Sequence, residues 1–162
     1  MEINGLLGSR ECICGRTHHC DIKTVLIGEG VLKKIGTTIQ MYKNILLVAD
    51  KNTYAVCGDT VKDQLGDKLE QLFIYECEGY LIPNEDAVAG MQRHLTDKTD
   101  LIMGIGSGVI QDLCKYVSFK AGLSYQVVAT APSMDGYASV GAAMIMENMK
   151  VTYSCHVPEA II

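Results

Sequence analysis

Short, continuously apolar segments alternate along this chain with longer amphipathic segments. Residues 45–49 and 101–105 are apolar or glycine throughout, which is typical of strands covered on both faces. The longer segments carry apolar residues at helical spacing, as at Leu32, Ile35 and Ile39.

Five strands are predicted, at residues 22–27, 45–49, 72–75, 101–105 and 125–129. Helices are predicted over residues 31–41 and 51–65. A third helix is predicted to begin at residue 83, and a fourth, which follows the glycine turn, is predicted to end at residue 121. The side chains that these helices are expected to bury include Val56, Val61, Leu65, Val109, Leu113, Val117 and Ala121.

This alternation predicts an α/β fold, with an open, mostly parallel Rossmann-like sheet and helices on both faces. We assign residues 22–162 to this nucleotide-binding domain and residues 1–21 to an N-terminal arm or hairpin. Ligands of such sheets bind outside the carboxyl ends of the strands. Asp50, the glycine turn at residues 104–108 and the segment 130–133 are all predicted to lie at those ends.

The glycine turn joins a predicted strand to a predicted helix with the sequence G-I-G-S-G-V-I-Q-D at residues 104–112. Glycines let backbone N–H groups approach an anion, and a helix N-terminus adds partial positive charge. The common dinucleotide fingerprint would place a third glycine where Val109 stands and an acid about 20 residues later, and both are missing. The turn indicates a nucleotide pyrophosphate site, and a tight strand-to-helix turn without a ligand remains the alternative.

Composition limits the class of protein further. The 162 residues are 48% hydrophobic and 20% charged, which fits one globular domain. A net charge of −5 and the absence of any longer Lys/Arg run than two residues argue against nucleic acid as a partner. No segment approaches the roughly 18 apolar residues of a membrane span, and the N-terminus does not resemble a signal peptide. We therefore expect a cytoplasmic protein without a membrane partner.

The seven cysteines are interpreted as reduced thiols, because their number is odd and no export signal precedes them. Cys12, Cys14, His18 and Cys20 lie close enough in sequence to converge on zinc. Their spacing is not that of paired C-x-x-C knuckles. A metal site and an exposed arm without metal both remain open.

Two strings carry a resemblance to a known family. The T-A-P-S-M-D-G-Y string at residues 130–137, together with G-S-G-V-I-Q-D at 106–112, resembles the sn-glycerol-1-phosphate dehydrogenases. These enzymes form a branch of the superfamily of iron-containing alcohol dehydrogenases, glycerol dehydrogenases and dehydroquinate synthases. The similarity extends through D-K-N-T at residues 50–53, C-I-C-G at 12–15 and P-E-A at 158–160, so it covers nearly the whole chain.

The resemblance implies reduction of dihydroxyacetone phosphate, a small phosphorylated substrate, with NADH or NADPH and a divalent metal, usually zinc. It places Asp135 near the substrate hydroxyls, and we expect a homo-oligomer. Asp50 would meet the adenosine ribose, where its charge would repel a 2′-phosphate and favour NAD. The residues implied to contact NAD or NADP are Asp50, Gly106, Ser107, Gly108, Val109, Ile110, Gln111, Asp112, Thr130, Ala131, Pro132, Ser133 and Ser139.

The resemblance places the metal ligands beyond Ile162: an aspartate and two histidines in a helical C-terminal domain. We therefore expect this chain to be the cofactor-binding half, to bind no metal at the substrate site, and to be inactive alone. Its apolar last residues are expected to leave an uncovered surface. Other interpretations that stay open are a non-catalytic nucleotide-binding module, a glycerol or polyol dehydrogenase of the same superfamily, and a zinc-binding arm.

Overall fold

The computed structural model describes residues 3–77, 79–134 and 136–162. Its strands are β1 (Gly8–Glu11), β2 (Thr17–Cys20), β3 (Thr24–Val25), β4 (Ile45–Asp50), β5 (Leu69–Tyr75), β6 (Leu101–Gly106), β7 (Ser124–Ala129), β8 (Gly141–Met146), β9 (Met149–Ser154) and β10 (Ala160–Ile161). Its helices are α1 (Ile35–Thr38), α2 (Lys51–Leu65), α3 (Glu85–Gln92) and α4 (Gly108–Ala121). Short 3-10 turns span Asn4–Leu6, Val31–Lys34, Gly66–Lys68 and Gly136–Ala138.

Six strands form one parallel sheet in the order β3-β10-β7-β6-β4-β5. Side chains of the central strands alternate between two cores, because successive residues of a strand point to opposite faces. Leu46 packs in the core that contains Leu113 of α4, and Leu47 packs in the core that contains Val61 of α2. Helices therefore cover both faces, and the predicted α/β sheet is confirmed. No helix within the described residues is long and apolar enough to cross a membrane.

The first unit of the fold is the least well predicted. Only Thr24–Val25 of residues 22–27 forms a strand, and the predicted helix over 31–41 is a 3-10 turn followed by the short α1. The hydroxyl groups of Thr37 and Thr38 donate to the carbonyl oxygens three residues back, at 2.7 and 3.0 Å. Such bonds compete with regular helix geometry.

Two of the side chains predicted to be buried by helices are exposed. Val56 is 70% exposed, because it lies on the outer face of α2, whereas Val61 and Leu65 of the same helix are buried. Ala121, at the end of α4, is also exposed. Both segments are helical, as predicted. The errors concern the width of the buried face, because Val56 and Ala121 lie outside it.

The last residues of the chain form a strand inside the sheet. β10 pairs in parallel with both β3 and β7, and Ile162 is 7% exposed. Glu159 fixes this strand, because its carboxylate accepts from the Lys23 ammonium at 2.5 Å, from the Ser124 hydroxyl at 3.0 Å and from the Tyr42 hydroxyl. The expectation that these apolar residues leave an uncovered surface is therefore wrong.

An antiparallel hairpin of β8 and β9 packs beside α4. Its turn residues Glu147 and Asn148 have φ of 52° and 62°, the left-handed geometry of a tight hairpin turn. The backbone N–H of Glu147 donates to the carboxylate of Glu85 at 2.5 Å, and that of Ile145 donates to the Pro83 carbonyl oxygen at 2.9 Å. These bonds hold the hairpin against the start of α3 and form one wall of the site described next.

Candidate functional site

The carboxyl ends of the central strands bring three predicted segments to one edge of the sheet. Asp50 ends β4 and Gly106 ends β6, two strands that pair directly. Thr130 follows β7, and its N–H donates to the Gly106 carbonyl oxygen at 3.2 Å. Asp50, the glycine turn and the segment that begins at Thr130 therefore lie on one rim, as parallel strand order requires.

A first cavity of about 220 Å³ opens at this rim. Asp50 and Tyr75 line it from the ends of two paired strands, and the exposed Tyr80 lines it from the loop that precedes α3. Ser107 and Val109 close it at the start of α4. The cavity thus joins the Asp50 carboxylate to the beginning of that helix.

A second cavity of about 430 Å³ lies on the other side of the same helix start. Ser107 and Val109 line it as well, so the two cavities adjoin over the first turn of α4. Its other walls include Asp112 from the helix, Met134 from the loop after β7, and Lys150 from the β8–β9 hairpin. An elongated ligand could occupy both cavities only by crossing this helix start.

The start of α4 differs from those of α2 and α3 in its capping. Asp50 caps α2 and Asn84 caps α3 through side-chain oxygens, but Ser107 makes no side-chain capping bond to α4. The first helical bond of α4 runs from the Gln111 N–H to the Ser107 carbonyl oxygen at 3.0 Å. The N–H groups before it have neither a helical partner nor a cap among the described residues. Such a helix start is suited to bind an anion.

The glycines of the turn serve two different purposes. A Cβ at Gly106 would lie 2.4 Å from Cβ of Ile110, and one at Gly104 would lie 3.3 Å from Cγ2 of Ile110. These two glycines let α4 pack closely on β6. A Cβ at Gly108 would instead lie 2.6 Å from Cε of Met134, a flexible side chain at the second cavity. Of the three, Gly108 is the one that lines a cavity.

Asp50 divides its carboxylate between the protein and the first cavity. Its Oδ1 accepts from the N–H groups of Asn52 and Thr53 at 2.8 and 2.9 Å, and the Thr53 hydroxyl accepts from the Asp50 N–H at 3.1 Å. This reciprocal capping box fixes the side chain. Among the described residues Oδ2 has no hydrogen-bond donor, so this oxygen can accept a further hydrogen bond.

Asp112 is a partly desolvated acid at the second cavity. Burial raises the pKa of its carboxyl group, and the charges of Lys115 and Lys150 and the N–H of Ala143 act in the opposite direction. Burial deprives this carboxyl group of hydrogen bonds from water. An N–H donor of a ligand in the cavity would restore part of this hydrogen bonding.

Lys115 ties α4 to the loop that follows the T-A-P-S segment. Its ammonium group donates to the Gly141 carbonyl oxygen at 2.8 Å and lies 3.4 Å from the Gly136 carbonyl oxygen and the Ser139 hydroxyl. The Gln111 amide also donates to the Gly136 carbonyl oxygen, at 2.5 Å. Lys115 is fully buried, and desolvation lowers its pKa. The loop that carries the predicted substrate residue is thus fixed from below by two polar side chains of α4.

Sequence reasoning missed this anchoring function of Lys115. The sequence did contain a signal for it. Gln111, Lys115 and Ser118 recur at helical spacing, and they lie among the buried residues of α4 together with its apolar side chains. A second anchor is Tyr137, whose hydroxyl lies 3.2 Å from the Ala131 carbonyl oxygen and accepts from the Ala131 N–H at 3.4 Å.

The predicted cofactor contacts separate into two groups. Those that line the cavities are Asp50, Ser107, Gly108, Val109 and Asp112. Those that line neither cavity are Gly106, Ile110, Gln111, Thr130, Ala131, Pro132, Ser133 and Ser139. Ile110 and Gln111 are each 1% exposed as whole residues, so neither side chain is available to a ligand. Asp135, the predicted substrate contact, lies outside the described residues.

The N-terminal hairpin of β1 and β2 brings together three of the four residues that the sequence left open as candidate zinc ligands. Donor atoms of Cys12, Cys14 and His18 lie within 4.8 Å of one another, and Cys20 is not in this group. In the described part of the chain, no other group of three or more His, Cys, Asp or Glu side chains has such geometry.

Residues 26–162 match the family described as iron-containing alcohol dehydrogenase. They include the whole parallel sheet from β4 onwards, and both cavities lie among them. The chain therefore belongs to the iron-containing alcohol dehydrogenase family, which confirms the family predicted from the two sequence strings.

Two curated relatives have sequence identities of 29% and 30% to the chain over the aligned residues. Glycerol-1-phosphate dehydrogenase [NAD(P)+] of Halalkalibacterium halodurans is 29% identical over 93% of this chain and 40% of its own length. The enzyme of the same name from Methanosarcina barkeri is 30% identical over 86% of this chain and 40% of its own length. The chain thus spans about 40% of the length of these relatives.

Solved structures show the same fold. Glycerol dehydrogenase from Schizosaccharomyces pombe superposes with a TM-score of 0.72 at 16% identity, over 96% of this chain and 37% of its own. NADH-dependent butanol dehydrogenase A from Thermotoga maritima also gives 0.72, at 20% identity, over 90% of this chain and 43% of its own. At these identities the likeness supports the fold of the chain and not its substrate.

Proposed function

We propose that this chain is the coenzyme-binding half of an oxidoreductase that reduces dihydroxyacetone phosphate to sn-glycerol 1-phosphate with NADH or NADPH. The observation that carries the proposal is the uncapped start of α4 between two adjoining cavities. A dinucleotide needs such an arrangement, because its central pyrophosphate is anionic and its two nucleoside halves extend in different directions. The names of the curated relatives supply the substrate.

Each group at this rim of the sheet has a function in this proposal. The free N–H groups at the start of α4, beginning at Gly108, bind the pyrophosphate. Asp50 accepts a hydrogen bond from a ribose hydroxyl through Oδ2 in the first cavity, and Asp112 accepts one from an amide N–H in the second. When bound, the reduced nicotinamide supplies the hydride for the substrate carbonyl. The residues of this chain position the coenzyme and exclude water around it.

Asp50 also favours NAD over NADP. A ribose 2′-phosphate would place its negative charge beside the carboxylate, whereas a 2′-hydroxyl donates to it. The neighbouring Lys51 also lines the first cavity and offsets part of this repulsion. We therefore propose a preference for NAD rather than strict exclusion of NADP.

The family is iron-containing by description, and we propose a divalent metal, zinc in particular, for the complete enzyme. The described residues do not fit this metal at the site, because the one group among them with metal-ligand geometry, in the N-terminal hairpin, lines neither cavity. We therefore assign this chain coenzyme binding and not activation of the substrate carbonyl. Asp135 as substrate contact and a homo-oligomeric assembly remain predictions.

Equilibrium binding tests the proposal on the chain itself. Titration with NADH, followed by nicotinamide fluorescence, should give saturable binding that ADP-ribose competes away. A folded chain that binds neither ligand would contradict the placement. Substrate choice is tested on the protein extended to the length of its relatives: dihydroxyacetone phosphate should be reduced in preference to dihydroxyacetone. The opposite preference would favour a glycerol dehydrogenase, and binding without any turnover would favour a non-catalytic module.

A further inference from the structure

The turn between β1 and β2 holds two cysteines in a fixed arrangement. The Cys12 N–H donates to the Arg16 carbonyl oxygen at 3.0 Å, and the Gly15 N–H donates to the Cys12 carbonyl oxygen at 2.9 Å. Gly15 has a φ of +79°, a conformation that a side chain would disfavour. The tight turn therefore directs Cys14 back toward the strand that begins after Arg16.

His18 completes a group of three soft donors with these cysteines. Its Nε2 lies 3.2 Å from the Cys14 Sγ, and the donor atoms of Cys12, Cys14 and His18 are all within 4.8 Å of one another. Tetrahedral zinc has Zn–S bonds of about 2.3 Å and Zn–N bonds of about 2.0 Å, so its ligand atoms lie about 3.3–3.8 Å apart. The three atoms thus need only small side-chain rotations to reach these separations.

The neighbouring histidine faces the other way. His19 Nδ1 lies 2.6 Å from the Ser9 hydroxyl, and its Nε2 lies 2.7 Å from the Asp21 carboxylate. Successive residues of a strand alternate between faces, so His18 and His19 lie on opposite sides of the hairpin. Cys20 shares the face of His18 but lies two residue pairs further along the hairpin, outside the group.

The three donors also match a divalent ion in charge. A thiolate is the ligand form of cysteine, and two thiolates with one neutral imidazole balance the charge of a divalent ion.

We propose that Cys12 Sγ, Cys14 Sγ and His18 Nε2 form a zinc site that closes the turn of the N-terminal hairpin, with a fourth position open to an external ligand. Thiolate and imidazole donors select zinc over magnesium or calcium, which prefer oxygen ligands. The site shares no residue with the two cavities, so the proposal does not depend on coenzyme binding.

Metal titration of the reduced, metal-free full chain tests the site. Co²⁺ should give thiolate-to-metal charge-transfer absorption and the visible bands of tetrahedral cobalt, saturating at one equivalent, and Zn²⁺ should abolish both. Cys12→Ser, Cys14→Ser and His18→Ala should each weaken binding by more than the roughly 10–100-fold that loss of an outer-shell partner costs. Magnesium at millimolar concentration should not compete.

Two matched variants control for general effects on the hairpin. His19→Ala removes the adjacent histidine, and Cys20→Ser removes the next thiol on the same face, and both should keep the wild-type affinity. Wild-type chain without charge-transfer absorption would overturn the proposal. Equal losses in His18→Ala and His19→Ala would overturn the histidine ligand, and a loss in Cys20→Ser as large as in Cys14→Ser would overturn the three-ligand set. NADH affinity, measured in parallel, should not change in any variant.

Discussion

The ammonium group of Lys115 donates to the carbonyl oxygen of Gly141 at 2.8 Å while the whole side chain is excluded from solvent. This bond connects the middle of α4 with the strand that follows the loop of residues 130–140. A buried cation is costly unless its donors are satisfied, so its partners must stay in place for the folded state to be favourable. The position of the loop is thus coupled to the packing of the helix that begins at the two cavities.

Replacement of Lys115 should reveal this coupling. Lys115→Met keeps the length of the side chain but removes its hydrogen bonds, and we expect a loss of about 1.5–3 kcal/mol in the free energy of unfolding, the usual contribution of a hydrogen bond to a charged group. Urea unfolding measures it. Lys120→Met, in the same helix but exposed, should change stability by less than about 1 kcal/mol. Equal effects of the two substitutions would contradict the anchoring function.

Gly108→Val should weaken coenzyme binding by well over about 1 kcal/mol, which is more than fivefold in affinity. The new side chain would enter the second cavity beside Met134, where the uncapped helix start faces the proposed pyrophosphate. NADH titration of the folded variant measures the loss.

Two controls separate the possible causes of that loss. Gly36→Val changes an exposed glycine with open space around it and should leave affinity unchanged. Adding Met134→Ala to Gly108→Val relieves the clash with Met134 and should not restore binding, because the branched side chain still blocks the approach of the anion. Full recovery would show that the effect came from Met134 alone.

Asp50→Ser should reduce the preference for NAD over NADP by about 1–2 kcal/mol. Serine also caps helices well, so the stability of α2 should fall by less than in Asp50→Ala, which loses the cap at a cost of about 1 kcal/mol. The ratio of the two dissociation constants is the measurement. Asp63→Ser, an exposed acid of the same helix, should leave the ratio unchanged. A wild-type preference for NADP would contradict the function proposed for Asp50.

The 162 residues alone should not oxidise NADH with dihydroxyacetone phosphate, even with added zinc. The reason is that their described part offers no metal cluster at either cavity, so no Lewis acid polarises the substrate carbonyl. An absorbance assay of NADH, run beside the extended protein, measures this. Robust turnover by the short chain would show that the metal ligands had been misassigned.

The sequence predicted those parts of the fold that depend on local patterns. β4 and β6 are apolar on both faces, and α2 and α4 keep a regular period, so each is recognised from neighbouring residues alone. β10 could not be found in this way. Its two residues form a strand only because Thr24 and Gln126, far away in sequence, lie on either side of Ala160.

The candidate site was predictable to the same extent. The spacing of Gly106 predicts a phosphate-binding turn. It does not predict the packing of Gly106 against Ile110, because that packing depends on how closely α4 approaches β6. Lys115 was overlooked because a lysine in an amphipathic pattern is normally solvent-exposed. Its burial depends on the carbonyl oxygens of Gly136 and Gly141, more than 20 residues away.

His156 should make the stability of the chain depend on pH in a defined range. Its Nε2 lies 2.8 Å from the Ser118 hydroxyl, and its ring stacks on Tyr125 at 5.4 Å between centroids. Burial lowers the pKa of His156 from its usual 6.5, the charge of Lys115 lowers it further, and that of Glu159 opposes both. The folded chain therefore favours the neutral imidazole.

The sign of the effect follows from proton uptake. Well above pH 6.5 the imidazole is neutral in both states, and as the pH falls through 6.5 the unfolded chain binds a proton that the folded chain resists, so stability decreases. Urea unfolding between pH 7.5 and 5.5 should show this decrease in wild type and a smaller one in His156→Gln. Glu159, whose pKa is lowered from 4.5, loses its contribution only at more acidic pH, so it does not mask the histidine in this range. Identical slopes for wild type and His156→Gln would contradict the assignment.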